Sequence, residues 1–186
     1  MLRLFIAVDV EDPVVASRLE RVKEALAATG VPMKPVETRN LHITLRFMGE
    51  VEEGLAEEIK RQVLGELRFK RFRARLVGLG AFPGIYKPRV VWAGVGEGAE
   101  ELSGLFKELE SRLVRLGLRP ESRGFHPHVT LARIKGSRNL SALVRILEEY
   151  RDYEFGWVDV GAVRLKKSTL TRQGPVYETL MEVRGE

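Results

Sequence analysis

The sequence contains no cysteine among its 186 residues. This absence excludes disulfide bonds, thiol nucleophiles and cysteine-ligated zinc or iron–sulfur sites. Long apolar runs are also missing: the longest are short segments such as residues 4–8, far below the roughly 20 residues of a membrane span. The start of the chain does not join a basic region to a long apolar segment, so we expect no signal peptide, no membrane association and a cytoplasmic location.

Two sequence motifs of nucleotide-dependent enzymes are absent as well. The sequence has no glycine-rich phosphate-binding loop of the Walker type and no lysine nucleophile motif. An ATP-dependent ligase is therefore unsupported.

The composition is typical of one soluble globular domain, with 44% hydrophobic and 31% charged residues. The net charge is +5 at pH 7, which favours a polyanionic partner. Residues 60–75 are strongly basic, and Arg71, Arg73 and Arg75 share one face of a predicted strand. This face is either a contact for nucleic acid or an ordinary solvated sheet edge.

Hydrophobic periodicity predicts strands and helices in a repeating order. The predicted strands are 2–10, 41–48, 72–79, 90–95, 125–134, 157–165 and 176–183. The predicted helices are 13–29, 52–67, 97–116 and 137–150, and residues 78–84 are predicted as a loop. The order strand, helix, strand, helix, strand occurs twice, which indicates duplicated halves at roughly residues 1–88 and 89–186. We expect an α+β fold: one monomeric, two-lobed domain whose mostly antiparallel sheets face each other across a central groove, with helices outside.

Two of the three histidines lie in the same short motif, His-x-Thr, 86 residues apart. Three histidines and seven threonines would give about 0.1 such pair by chance. Alternate residues of a strand share a face, so His42 and Thr44 point one way while their neighbours point into the core, and His128 and Thr130 do the same. The pairing at equivalent places indicates a functional site rather than two unrelated half-buried histidines.

Two histidines facing one groove suit acid–base chemistry. An imidazole gains or loses a proton near neutral pH, so a neutral and a protonated histidine form a general base and a general acid. Placed on either side of a phosphate, they would drive an in-line displacement, and the threonine hydroxyls would donate to the phosphoryl oxygens. The spacing of the motifs does not decide which histidine is the acid.

The doubled motif and its surroundings resemble the RNA 2′,3′-cyclic phosphodiesterases of the two-histidine phosphoesterase superfamily, also known as 2′-5′ RNA ligases. The resemblance covers nearly the whole chain and is carried by residues 2–8, 40–49, 89–94 and 125–133. It implies metal-independent opening of RNA 2′,3′-cyclic phosphate to a 2′-phosphate, and ATP-independent, reversible joining of RNA ends through a 2′-5′ bond. It also implies that His42 is the proton donor and His128 the proton acceptor. The expected partner is RNA with a cyclic phosphate end, including tRNA fragments, and no cofactor is expected.

Further residues are candidates for substrate contact. Strict alternation places Arg46 on the His42 face, where it would bind phosphate, and turns Arg133 to the core unless a bulge intervenes. His126 shares the face of His128 and would line the groove; the two alone make a poor metal site, so no metal is expected. Tyr86, Lys87 and Arg89 precede a strand and either touch RNA or form an ordinary exposed loop.

Three other functions remain open at this stage. A non-catalytic RNA-binding module would use the basic surface alone. A metal-dependent phosphodiesterase would lose activity in the presence of a chelator. A two-histidine enzyme acting on a small cyclic nucleotide would not need the basic surface.

Overall fold

In a computed structural model, which describes residues 1–186, the chain folds into nine strands and four α-helices. The elements in chain order are β1 (Leu2–Asp9), α1 (Pro13–Ala27), β2 (Met33–Pro35), β3 (His42–Val51), α2 (Glu53–Glu58), β4 (Phe72–Phe82), β5 (Val90–Val95), α3 (Ala99–Arg115), β6 (His128–Ile134), α4 (Leu140–Glu149), β7 (Glu154–Val160), β8 (Ala162–Thr171) and β9 (Gly174–Arg184). Helix α2 continues into a π-helical turn, Ile59–Leu64.

All strands belong to one antiparallel sheet in the order β7-β4-β5-β6-β3-β1-β8-β9, with the short β2 beside β6. The central strands β3 and β6 meet at the pair Ile43 and Val129, each of which directly follows a motif histidine. This pair marks a pseudo-twofold relation between a first lobe (β3, β1, β8, β9) and a second lobe (β6, β5, β4, β7, β2). The predicted α+β fold with two lobes is confirmed, and the two sheets are halves of one continuous sheet.

The predicted division near residue 88 does not follow the lobes. Strand β4, from the first half of the chain, pairs with β5 and β7, whereas β8, from the second half, pairs with β1. Each half of the sequence thus sends two strands into the other lobe: β2 and β4 from the first half, and β8 and β9 from the second. This exchange ties the lobes together through backbone hydrogen bonds, because a strand edge needs a partner.

Helices cover only one face of the sheet. Helix α1 contacts β7, β6 and α4 on the second lobe, and α3 contacts β3 and the turn after α2 on the first lobe. Helix α1 begins where the Asp12 carboxylate accepts a hydrogen bond from the backbone N–H of Val15 at 2.9 Å, with Pro13 in its first turn. A single cluster of 37 buried apolar residues lies between helices and sheet. The opposite, concave face of the sheet is the groove.

No helix is both long enough and apolar enough to cross a membrane.

Three predicted boundaries are wrong. Strand β4 continues to Phe82, so much of the predicted loop 78–84 is strand. The predicted strand 157–165 is two strands separated at Gly161, and they lie in different lobes. Strand β6 begins only at His128, because Pro127 has no N–H to donate to a neighbouring strand.

Candidate active site

The two His-x-Thr motifs lie side by side on the concave face of the sheet. In β3, Ile43 is fully buried in the core, and in β6 Val129 is equally buried. The alternation of strands then turns His42 and Thr44, and likewise His128 and Thr130, towards the groove. Because Ile43 pairs with Val129, the antiparallel register sets His42 on the side of Thr130 and His128 on the side of Thr44. The structure thus brings the two motifs together on neighbouring strands.

Both imidazoles are oriented by a backbone carbonyl two residues earlier. The Nδ1 atom of His42 lies 2.7 Å from the carbonyl oxygen of Asn40, and Nδ1 of His128 lies 2.5 Å from that of His126. A carbonyl oxygen only accepts, so each Nδ1–H donates and each Nε2 remains to exchange protons. Nε2 of His42 is in addition 2.9 Å from the hydroxyl of Thr44.

Burial is the main influence on the acidity of both histidines. Burial lowers the pKa of His42; the Asn40 carbonyl and the Asp9 charge oppose this, and the charges of Lys166 and His128 reinforce it. Burial likewise lowers the pKa of His128; the His126 carbonyl opposes this, and the charges of His126 and Arg133 reinforce it. Since His128 affects the pKa of His42, the two imidazoles belong to one electrostatic site.

The two halves of the site differ in the residue opposite each histidine. In the sheet register Asp9 lies opposite His42, whereas Gly94 lies opposite His128. Both carboxylate oxygens of Asp9 are 2.8 Å from the buried Nζ of Lys166, and one is 2.7 Å from Arg164. Only the first lobe therefore places an acidic group beside its histidine.

Aromatic side chains surround both histidines. Phe5 lies 5.0 Å from the His42 ring and Tyr177 lies 5.5 Å from it, edge to face. Near His128, Phe82 lies at 5.0 Å and Trp92 at 6.1 Å between ring centroids. The His-x-Thr motifs predict none of these four residues. The alternation of side chains in β1 and β5 places Phe5 and Trp92 on the groove face. The position of Tyr177 depends on how the β8–β9 hairpin packs, so no pattern in the neighbouring sequence predicts it.

Arg46 does not reach the groove, which overturns its prediction as a phosphate ligand. A bulge in β3 leaves Leu45 unpaired with β1, so Arg46 turns inwards. Its Nε donates to Glu110 at 2.6 Å, and its other nitrogens donate to the carbonyls of Phe47 and Arg119. With 7% of the side chain exposed, the guanidinium holds the first lobe to α3.

The equivalent bulge in β6 has the opposite consequence for Arg133. Leu131 is left unpaired with β5, Ala132 turns inwards and Arg133 is exposed on the groove face. Burial raises the pKa of Tyr177, and the charges of Arg133 and Arg3 oppose this increase. The bulge that Arg133 required is thus present.

The remaining candidate residues lie in the second lobe, beside the start and the end of β6. His126 is exposed, its ring 6.4 Å from that of Phe82. Arg89 is exposed beside the end of β6, where its backbone carbonyl accepts from Ile134. Tyr86 and Lys87 are exposed in the loop before β5, and Tyr86 is 69% accessible. None of the basic residues among them forms an ion pair.

Two arginines of the predicted basic face are largely neutralised. Arg75 forms ion pairs with Glu97 at 3.0 Å and with Glu154 at 2.6 Å. Arg73 lies 3.7 Å from Asp159, and its guanidinium covers the Trp157 ring at 5.1 Å. These partners fit the alternative interpretation, a solvated surface, better than an RNA contact, although β4 lies between β5 and β7 and is not an edge strand.

No three or more His, Asp or Glu side chains are grouped closely enough to hold a metal ion.

Comparison with known proteins points to one family. The sequence model of the 2′-5′ RNA ligase superfamily matches residues 10–168. An RNA 2′,3′-cyclic phosphodiesterase of Aeropyrum pernix is 58% identical over 167 residues, which cover 90% of this chain and 94% of the relative. A protein of the same name from Methanothermobacter thermautotrophicus is 39% identical over 98% of this chain and 97% of its own length.

Solved structures agree with these sequence relatives. A Thermus thermophilus protein superimposes with a TM-score of 0.82 at 29% identity, covering 98% of this chain and 97% of that chain. The crystal structure of Escherichia coli LigT complexed with 3′-AMP gives a TM-score of 0.75 at 26% identity over 98% and 97% of the two chains.

Proposed function

The chain belongs to the 2′-5′ RNA ligase superfamily, and we propose that it is an RNA 2′,3′-cyclic phosphodiesterase that opens terminal cyclic phosphates to 2′-phosphates without a metal ion. The observation that carries this proposal is the pair of His-x-Thr motifs in one groove. Each motif presents an imidazole whose Nε2 is left to exchange protons, with a hydroxyl beside it.

The proposed reaction transfers one proton at each side of the phosphorus. His128 Nε2 accepts a proton from water as the water oxygen bonds to phosphorus. The bond from phosphorus to the 3′-oxygen breaks, and Nε2–H of His42 protonates that oxygen. The products are a 2′-phosphate and a 3′-hydroxyl. Thr44 and Thr130 donate to the non-bridging oxygens, where negative charge increases in the transition state.

The unequal surroundings of the two histidines support this assignment of acid and base. Burial lowers the pKa of both histidines, but only His42 has an acidic group opposite it, Asp9, whose negative charge opposes that shift and favours the imidazolium form. No carboxylate opposes the shift at His128, where the charge of Arg133 further favours the neutral imidazole. A proton donor is therefore better placed at His42 and a proton acceptor at His128.

The same site supports joining as well as hydrolysis. If the 5′-hydroxyl of a second RNA takes the place of water, His128 accepts its proton and the product is a 2′-5′ phosphodiester. The strained cyclic ester replaces ATP as the source of the activated phosphate. Neither direction requires a metal ion, since proton transfer and hydroxyl donors supply the charge stabilisation.

RNA is the proposed substrate class, and tRNA fragments with cyclic ends fall within it. Arg133, Arg89 and Lys87 form an exposed cationic rim without ion pairs beside the end of β6. A chain of phosphates would occupy this rim, whereas a mononucleotide would leave it unused. Tyr86 precedes Lys87 in the same loop, and His126 precedes the start of β6.

The deciding experiment uses a short RNA ending in 2′,3′-cyclic phosphate, with excess EDTA, and identifies products by mass spectrometry. We expect a 2′-phosphate product from the parent protein. His42→Ala and His128→Ala should each lower the rate by roughly 10²–10⁴, the usual contribution of a positioned acid or base. His126→Ala, which keeps the backbone carbonyl that orients His128, is the matched control and should lose far less.

Three outcomes would contradict the proposal. A folded double variant that opens the cyclic phosphate at the parent rate would exclude the paired histidines. Activity restored only by a divalent ion would favour a metal-dependent enzyme. Equal kcat/KM values on the RNA and on a 2′,3′-cyclic mononucleotide would favour the small substrate.

A further inference from the structure

We propose that Trp92 and Phe82 form the floor of a subsite for a second RNA end, the nucleoside that carries a free 5′-hydroxyl. This inference rests on the proposed function and names where the attacking RNA binds in the joining reaction.

Two glycines make room for Trp92 to lie against the sheet. A Cβ added to Gly80, on the neighbouring strand β4, would lie 2.3 Å from Cη2 of the indole. A Cβ on Gly94 would lie 3.3 Å from Cζ3. The six-membered ring therefore covers the backbone of these glycines, and its other face is turned to the groove. The Phe82 ring continues this surface, 5.1 Å from Trp92 between centroids.

The indole has a second unusual feature. Its Nε1–H is buried without a hydrogen-bond partner, and it is the only buried side-chain nitrogen or oxygen of the chain in that condition. Because this nitrogen is buried, the edge of the indole that carries it is covered by protein, and the part of the ring left to a bound molecule is its face.

The aromatic floor occurs in one lobe only. Trp92 lies opposite Thr130 in the sheet, and the equivalent position opposite Thr44 holds Ala7. Near His42 the rings of Phe5 and Tyr177 pack edge to face, 4.9 Å apart. Beside His128, the proposed proton acceptor, the indole of Trp92 offers a stacking face, with the Phe82 ring tilted by 42° against it.

The location of Trp92 and Phe82 beside His128 indicates which molecule binds there. In hydrolysis the attacking group at His128 is water, which gains nothing from an aromatic surface. In joining the attacking group is a 5′-hydroxyl, and its nucleoside brings a base to the same side. Bases stack on aromatic side chains with little dependence on sequence. The terminal nucleoside of the cyclic end leaves towards His42 and does not need this floor.

Trp92 can report its own occupancy, because Trp157 is the only other tryptophan. In a Trp157→Phe background, fluorescence is titrated with a dinucleotide that has a free 5′-hydroxyl and no cyclic phosphate. We expect saturable quenching. The same dinucleotide with a 5′-phosphate should bind more weakly, since the phosphate would occupy the place of the attacking oxygen.

Activity then separates the two RNA ends. Trp92→Leu and Phe82→Leu should lower the ratio of the joining rate to the opening rate tenfold or more, as expected for loss of base stacking. The ratio is the readout because both rings pack beside His128, so an effect on the shared acid–base chemistry slows both reactions alike and cancels. Trp157→Leu, which removes the other tryptophan far along the sheet, is the matched control and should change neither rate.

The results that would overturn the proposal are equally distinct. Quenching that does not saturate would exclude a site at Trp92. If either leucine variant slows opening as much as joining, the floor is not a subsite for the second RNA end. The fluorescence titration needs no turnover, so it tests the subsite even if the parent protein opens no cyclic phosphate, a result that would contradict only the proposed function.

Discussion

At the scale of single residues, two identical motifs are given different environments by their neighbours. The strand opposite His42 contributes Asp9, and the strand opposite His128 contributes Gly94. The charged and titratable groups around His42 are Asp9 on β1, Lys166 on β8, Tyr177 on β9 and His128 on β6. No spacing rule in the sequence reveals this difference, since it arises from pairing between distant strands.

We therefore predict opposite effects for two substitutions near His42. Asp9→Asn removes the negative charge and should lower the pKa of His42, whereas Lys166→Met removes a positive charge and should raise it. NMR titration of the His42 ring measures both shifts. The acid must be protonated, so in Asp9→Asn the alkaline limb of the kcat/KM profile should move to lower pH. Movement of the acidic limb instead would make His42 the base.

The pH optimum of the parent enzyme follows from the same directions. Burial lowers the pKa of both histidines, so the protonated acid is lost at a pH below the ordinary histidine value of about 6.5. We expect a bell-shaped kcat/KM profile with its maximum on the acidic side of neutrality. The two apparent pKa values belong to the coupled pair rather than to either residue. A profile that is flat between about pH 5 and 9 would exclude the pair as acid and base.

The two threonines should affect turnover rather than binding. Thr44→Val and Thr130→Val keep the shape of the side chain and remove its hydroxyl. Each should raise the activation free energy by about 1.5–3 kcal/mol if the hydroxyl donates to a charged phosphoryl oxygen. The loss should appear in kcat with KM nearly unchanged, because the charge is greatest in the transition state. A rise in KM alone would assign the hydroxyls to ground-state binding.

At the scale of secondary-structure elements, alternation predicted the motif strands and the inward residues next to each histidine. It failed four residues after each histidine, because both β3 and β6 contain a bulge at that point. The bulge turns Arg46 and Ala132 inwards and exposes Phe47 and Arg133. Bulges depend on the partner strand, so a pattern of hydrophobic residues in one strand cannot locate them.

The inward position of Arg46 predicts a structural role. Its ion pair with Glu110 connects β3 to α3, with 7% and 16% of the two side chains exposed. Arg46→Met leaves the carboxylate unpaired and should lower the free energy of unfolding by about 3–5 kcal/mol. Denaturant titration measures the loss, and the double variant Arg46→Met, Glu110→Met should recover part of it. If Arg46→Met is stable but loses RNA affinity, the guanidinium contacts substrate after all.

The β8–β9 hairpin supplies a second prediction for an element. Asn40 Nδ2 donates to the carbonyl of Pro175 at 3.2 Å and holds the start of β9 near His42. Asn40→Ala keeps the backbone carbonyl that orients His42 but should loosen residues 172–177. Hydrogen exchange of their amides should become faster, while Gln173→Ala at the exposed turn should leave it unchanged. Unaltered exchange in Asn40→Ala would show that packing of Tyr177 alone holds the hairpin.

At the scale of the whole molecule, the repeated order of strands and helices predicted two lobes but not their connection. Exchange of β4 and β8 between the lobes is a property of long-range pairing. The distribution of charge was also only partly visible in the sequence. Arg73 and Arg75 belong to the most basic run, yet the fold brings Asp159, Glu154 and Glu97 beside them.

The dependence of RNA affinity on salt concentration tests which of the basic residues contact RNA. Each phosphate contact with single-stranded RNA contributes about 0.7 to the slope of log affinity against log salt. The triple variant Lys87→Gln, Arg89→Gln, Arg133→Gln should therefore flatten the slope measured with RNA ending in the 2′-phosphate product. The double variant Arg73→Gln, Arg75→Gln should leave the slope unchanged, because their charges are already balanced. An equal loss of slope in both variants would place the RNA along the β4–β7 edge as well as along the rim.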